Sequence, residues 1–92
     1  MTLRELEKAY RVLGARKRLE ALKLLSDGRE RSVGEVASRI HLSFTATSKH
    51  LVLLRQAGLL ERRQAGYVGL YSLEQNLSPT LDRLLQQVRR AS

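Results

Sequence analysis

Two helix starts stand eleven residues apart in "SVGEVASRIHLSFTATSKHLVLL", with only "HL" left to separate the first helix from the second. Ser32 and Glu35 have the spacing of a capping box, and Val33, Val36, Ala37 and Ile40 fall at i, i+3, i+4 and i+7, which predicts a short helix. Ser43 is the next N-cap candidate. A chain that ends one helix and starts another within two or three residues must turn sharply and pack the two together. His41 occupies that turn, a place that commonly needs positive φ, which His tolerates better than most residues though at some strain. It reads as a turn residue rather than a ligand.

The second helix runs from Ser43 to a stop at Gly58 and opens with hydroxyls at Ser43, Thr45, Thr47 and Ser48. Ser and Thr are only moderate helix formers, so the run implies either capping or a helix end that something approaches closely. Helical projection gathers Phe44, Thr45, Ser48, Lys49 and Val52 into one arc, with Leu51, Leu54 and, more weakly, Thr47 on the inner face.

The flanks complete one domain over residues 1–92. Leu3, Leu6, Tyr10 and Leu13 predict a first helix from about Thr2 to Leu13, and Leu19, Leu22 and Leu25 a second from about Arg16 to Ser26, stopped by "SDG" with Gly28 in a capping position. After Gly58 the period changes: "LLERRQAGYVGLYSL" reads as a β-hairpin turning near Ala65–Gly66. "LSPTLDRLLQQVRR" then starts a last helix on Ser78 and Pro79, with Leu77, Leu81, Leu84, Leu85 and Val88 as its stripe. The expected fold is mostly α with a small β-hairpin, ordered α-α-α-α-β-β-α. Residues 32–58 are the helix-turn-helix and 59–73 the wing.

Seventeen Lys and Arg against nine Asp and Glu leave a formal charge of +8 on 92 residues, which favours a polyanionic partner, double-stranded DNA first. In a helix-turn-helix the second helix lies in the major groove with its N-terminal residues on base edges. Ser43, Thr45 and Ser48 are short enough for close approach, Lys49 reaches guanine or phosphate, and Arg62 and Arg63 lie on the wing. Neighbours on a strand point to opposite faces, so one of the two arginines is expected to touch DNA. The absence of cysteine excludes disulfides, thiolate metal sites and cysteine nucleophiles. "MTLRELEKAY" is no signal peptide, and no run approaches the roughly 20 apolar residues of a membrane span. A cytoplasmic location without membrane contact is expected. There is no glycine-rich phosphate loop, no paired-carboxylate motif and no Ser/His/Asp arrangement, so no enzyme and no cofactor are expected.

From Leu13 to Leu73 the sequence resembles the ArsR-type winged helix repressors, most strongly from Val36 through Leu59 and at Gly66, Tyr71 and Leu73. The resemblance implies a homodimer held by the first and last helices, with Leu3, Leu6, Tyr10, Leu81, Leu84, Leu85 and Val88 as interface candidates and a palindromic operator as target. Packing within one chain is the other role open to part of each stripe. It also implies that Phe44, Thr45, Ser48 and Lys49 face the bases. Phe44 stands where the family often has Gln, leaving contact with thymine methyls or tucking back against the protein. His50 matches a position at the groove edge, and either contacts phosphate or packs half-buried between helices. Relatives that sense metal use cysteines on the third helix or Asp/His sets on the last. The stretches "RERSVGEV" and "SPTLDRLLQQVRR" have neither Cys nor His, and Asp82 alone makes no site. The other functional class open to this fold is a protein-interaction module for an acidic partner, favoured by the apolar Phe44 and Val52 on the outer face.

Overall fold

Hydroxyl caps begin four of the five helices in the computed structural model, which describes residues 2–91. Thr2 Oγ1 accepts the Glu5 N–H at the head of α1 (Leu3–Leu13), and Ser32 with Glu35 forms a reciprocal capping box on α3 (Val33–Ile40). Ser43 Oγ caps α4 (Phe44–Gln56) through the Ala46 N–H at 3.1 Å, and Ser78 caps α5 (Pro79–Arg90) with Pro79 in its first turn. Only α2 (Arg16–Leu25) starts without a side-chain cap. The stops are as local as the starts. Gly58, at φ 84°, ends α4 in a Schellman motif: its N–H reaches Arg55 O and the Leu59 N–H reaches Leu54 O, both at 3.0 Å.

The same stop closes α3 without glycine. His41 sits in the left-handed region at φ 57°, ψ 54°, and the Leu42 N–H returns to Ala37 O at 3.0 Å. Two residues later Ser43 starts α4, so the sharp turn required by the two caps is made by a strained histidine.

Three antiparallel strands, not two, form the sheet. β2 (Leu60–Ala65) and β3 (Val68–Leu73) make the hairpin, and β1 (Arg31–Ser32) adds to the other edge of β3, giving the order β1-β3-β2. The expected order thus gains a strand between α2 and α3, too short to show any alternation in sequence. The turn is the pair Gly66–Tyr67, closed by Ala65 opposite Val68, one residue beyond the expected place. Arg31 and Arg62 both pair with Tyr71, and Leu60 pairs with Leu73, so these share the sheet's inner face.

The core lies between the helices and that face: Leu22 and Leu25 of α2, Val36 of α3, Leu51 and Leu54 of α4, Leu59, Leu60 and Tyr71, and Leu85 of α5 are all buried. Arg31 is buried with them, 9% exposed, and its guanidinium makes a two-pronged pair with Asp27 at 3.0 and 2.8 Å. Burial also separates the interface candidates. Leu81 and Leu85 are 6% and 1% exposed and packed into the chain's own core, while Leu84, 8% exposed, lies at its edge beside the groove between α1, α2 and α5. Leu3 and Tyr10 are exposed, and Leu6 and Val88 half-buried. Among the described residues no helix is long and apolar enough to cross a membrane.

Candidate nucleic-acid interface

Helix α4 owes its orientation to three residues. Thr47, Leu51 and Leu54 are fully buried and turn the opposite side outward, where Phe44, Thr45, Lys49 and Val52 are exposed and Ser48 is half-buried. Phe44 is 62% exposed and does not tuck back against the protein. Of the four hydroxyls, Ser43 caps the helix and Thr47 is inside, its Oγ1 buried without a partner. Thr45 and Ser48 remain for the outer face. The helix's amide end, its one exposed ammonium and two short hydroxyls form a surface that can hydrogen-bond base edges and phosphates.

His50 lies on the flank of this helix, half-buried, with Nδ1 accepting from Arg18 Nε of α2 at 3.1 Å. Burial, and then the Arg18 charge, holds its pKa below the ordinary value of 6.5. The packed alternative therefore describes one edge of the ring.

The wing arginines point to opposite faces. Arg63 lies on the outer face and is gripped by Glu30, Nε and Nη2 each 2.9 Å from a carboxylate oxygen, which lowers the Glu30 pKa and raises that of Arg63. Arg62 lies on the inner face beyond the core and donates to Gln64 Oε1 at 2.7 Å. Its guanidinium rests over Gly69, where an added Cβ would collide with it. Tyr67, at the wing tip, is fully exposed.

Sequence reasoning passed over Tyr67, Glu30, Gly69 and Arg18. The first was legible, as an aromatic next to Gly66 in a two-residue turn. Glu30 and Arg18 act across 33 and 32 residues of sequence and leave no local signal. Among the described residues no group of three or more His, Cys, Asp or Glu is placed to hold a metal ion.

Known proteins share this fold. Residues 16–62 match the family described as bacterial regulatory protein, arsR family. Over 95 residues the chain is 34% identical to the transcriptional activator HlyU of Vibrio cholerae, covering 96% of this chain and 87% of that one. The structure of reduced HlyU from Vibrio cholerae matches with a TM-score of 0.78 at 31% identity, over 94% of this chain and 86% of its own. A homodimeric winged helix-turn-helix DNA-binding domain from Mycobacterium bovis, a possible ArsR-family transcriptional regulator, gives 0.79 at 29% identity over 95% and 77%. With a mostly helical winged helix-turn-helix fold, five helices among the described residues and a small antiparallel sheet, this chain belongs to the arsR family of bacterial DNA-binding transcription regulators, which are not enzymes.

Proposed function

We propose that the chain acts as a homodimeric repressor that reads a palindromic operator. The observation that carries the reading is the outer face of α4, where Thr45, Ser48 and Lys49 stand together at the helix's amide end while its other side is locked into the core. Two copies of α4 reach successive major grooves about 34 Å apart, which makes the target an imperfect palindrome. Phe44 offers an apolar surface for thymine methyls, Ser43 and His50 lie where phosphates pass, and one of the two wing arginines, Arg62 or Arg63, serves the backbone.

Dimerisation is supported by the homodimeric state of the Mycobacterium bovis relative and by an open groove of about 820 Å³ between α1, α2 and α5. Tyr10, Leu13, Leu19, Leu84 and Val88 line it, and Leu3 stands exposed on the same helix as Tyr10. A dimer seated over two grooves occupies promoter DNA that polymerase needs, hence repression. The same occupancy upstream of a promoter activates, the role stated in the name of the Vibrio cholerae relative.

Selection of duplex DNA from a random pool at near-physiological salt tests the proposal. An enriched palindrome with half-sites about one helical turn apart supports it. Weak, steeply salt-dependent binding with no enriched sequence overturns it. Exposed Phe44 and Val52 favour a second reading, an interaction module for an acidic protein, for which a pull-down from lysate cleared of nucleic acid should retain a partner that a Phe44→Ala variant loses.

A further inference from the structure

The first turn of α2 fastens three other helices. Lys17 Nζ donates to Ile40 O, the last carbonyl of α3, at 2.5 Å. Arg18 Nη1 donates to Val12 O near the end of α1 at 2.9 Å, while its Nε donates to His50 Nδ1 on α4 at 3.1 Å. One planar guanidinium thus spans α1 and α4 from α2, using two donors at a fixed angle that a lysine ammonium cannot reproduce.

The direction of the second bond fixes chemistry as well as position. A ring nitrogen that accepts carries no proton, so the His50 ring is held neutral with its single proton on Nε2. Nε2 is not sealed in: the buried unpaired side-chain atoms among the described residues are Thr47 Oγ1 and Glu20 Oε2, the latter with the Lys17 ammonium 3.2 Å away outside hydrogen-bond geometry. The half-buried ring thus keeps its one N–H, on the flank of α4, free of any partner among the side-chain hydrogen bonds of the described residues.

We infer that Arg18 is a positioning residue of the DNA interface: it ties α1 to α4 and holds His50 with Nε2–H presented to a DNA phosphate. This rests on the proposed function of α4 and adds the element that sets the angle and tautomer of its flank. The coupling is mechanical, so Arg18 itself touches no DNA.

The test combines ring-nitrogen NMR of the protein without DNA with titrations of the selected operator across salt concentrations. The wild type should show the proton on His50 Nε2, and Arg18→Lys should give a mixture of tautomers with unchanged helix content. Arg18→Lys and His50→Ala should each weaken operator binding about 3- to 10-fold, the effect of losing one hydrogen bond. The double variant should be no weaker than the worse single one. Arg18→Gln should keep the salt slope that Arg18→Lys shows, which also guards against a variant that fails to fold. A proton on Nδ1 in the wild type, wild-type affinity in Arg18→Lys, or a slope reduced by roughly 0.9 in Arg18→Gln overturns the inference, the last by making Arg18 a phosphate contact. Failure of the wild type itself to bind DNA overturns the proposed function instead, and is distinguished because no variant is involved.

Discussion

Replacing Asp27 by Asn removes a charge while keeping shape, and its consequence follows from the pair it makes. The Asp27 carboxylate accepts both Arg31 prongs and the Arg29 N–H at 2.9 Å. These bonds, Arg31 first, lower its pKa from 3.8 to about 2. That lowering corresponds to at most roughly 2.4 kcal/mol of folding stability. The Asp27 side chain is 42% exposed, so solvent screening reduces the carboxylate's share to about 1 kcal/mol. Arg31 then keeps only the Leu24 carbonyl and one amide oxygen for a nearly buried cation, which raises the expected loss to between about 1 and 3 kcal/mol. Urea unfolding at neutral pH measures the difference. Because the folded pKa is the lower one, the contribution is complete above about pH 4 and is lost as pH falls toward 2, with roughly half gone by pH 3. Equal stability at neutral pH, or a gap that widens on acidification, would refute this account of the pair.

Three further outcomes are expected. Thr47→Val should stabilise the protein by about 1 kcal/mol in urea unfolding, because it removes a buried hydroxyl that has no partner; a loss would mean that the hydroxyl is bonded. Lys49→Ala should weaken operator binding by roughly 1–3 kcal/mol and blur preference at one base position, whereas an equal loss on all sequences would make Lys49 a phosphate contact only. The lowered His50 pKa favours the neutral ring in the folded state, so stability is complete above about pH 6.5 and declines as pH falls through the lowered value. Urea midpoints near pH 7.5 and 5.5 should show that step in the wild type and not in His50→Gln.

What could be read from the sequence was whatever repeats within a helical turn. The caps at Ser32, Ser43 and Ser78 and the stop at Gly58 are local hydrogen bonds between near neighbours, and their spacing announces them. β1 was not legible, since two residues carry no period and Arg31 pairs with Tyr71, forty positions away. The α5 stripe announced a buried face but not what buries it: Leu81 and Leu85 turn out to face their own chain. The hydroxyl run of α4 was half legible for a similar reason. Composition marks Ser43 and Thr47 alike with Thr45 and Ser48, and only packing separates a cap and a core residue from the exposed Thr45 and half-buried Ser48 of the outer face.

The grip of Glu30 on Arg63 bears on how a regulator finds its site. On the proposed reading, an Arg63 that meets DNA does so with a counter-ion of its own already in place, so approaching a phosphate trades one partner for another and releases less from the DNA atmosphere than a bare arginine would. That would weaken the pull toward arbitrary sequence and leave untouched the end of α4 proposed to read bases. On a chromosome almost every stretch is the wrong one. A dimer that holds wrong stretches more loosely leaves them sooner, and spends less of its time bound where nothing is regulated.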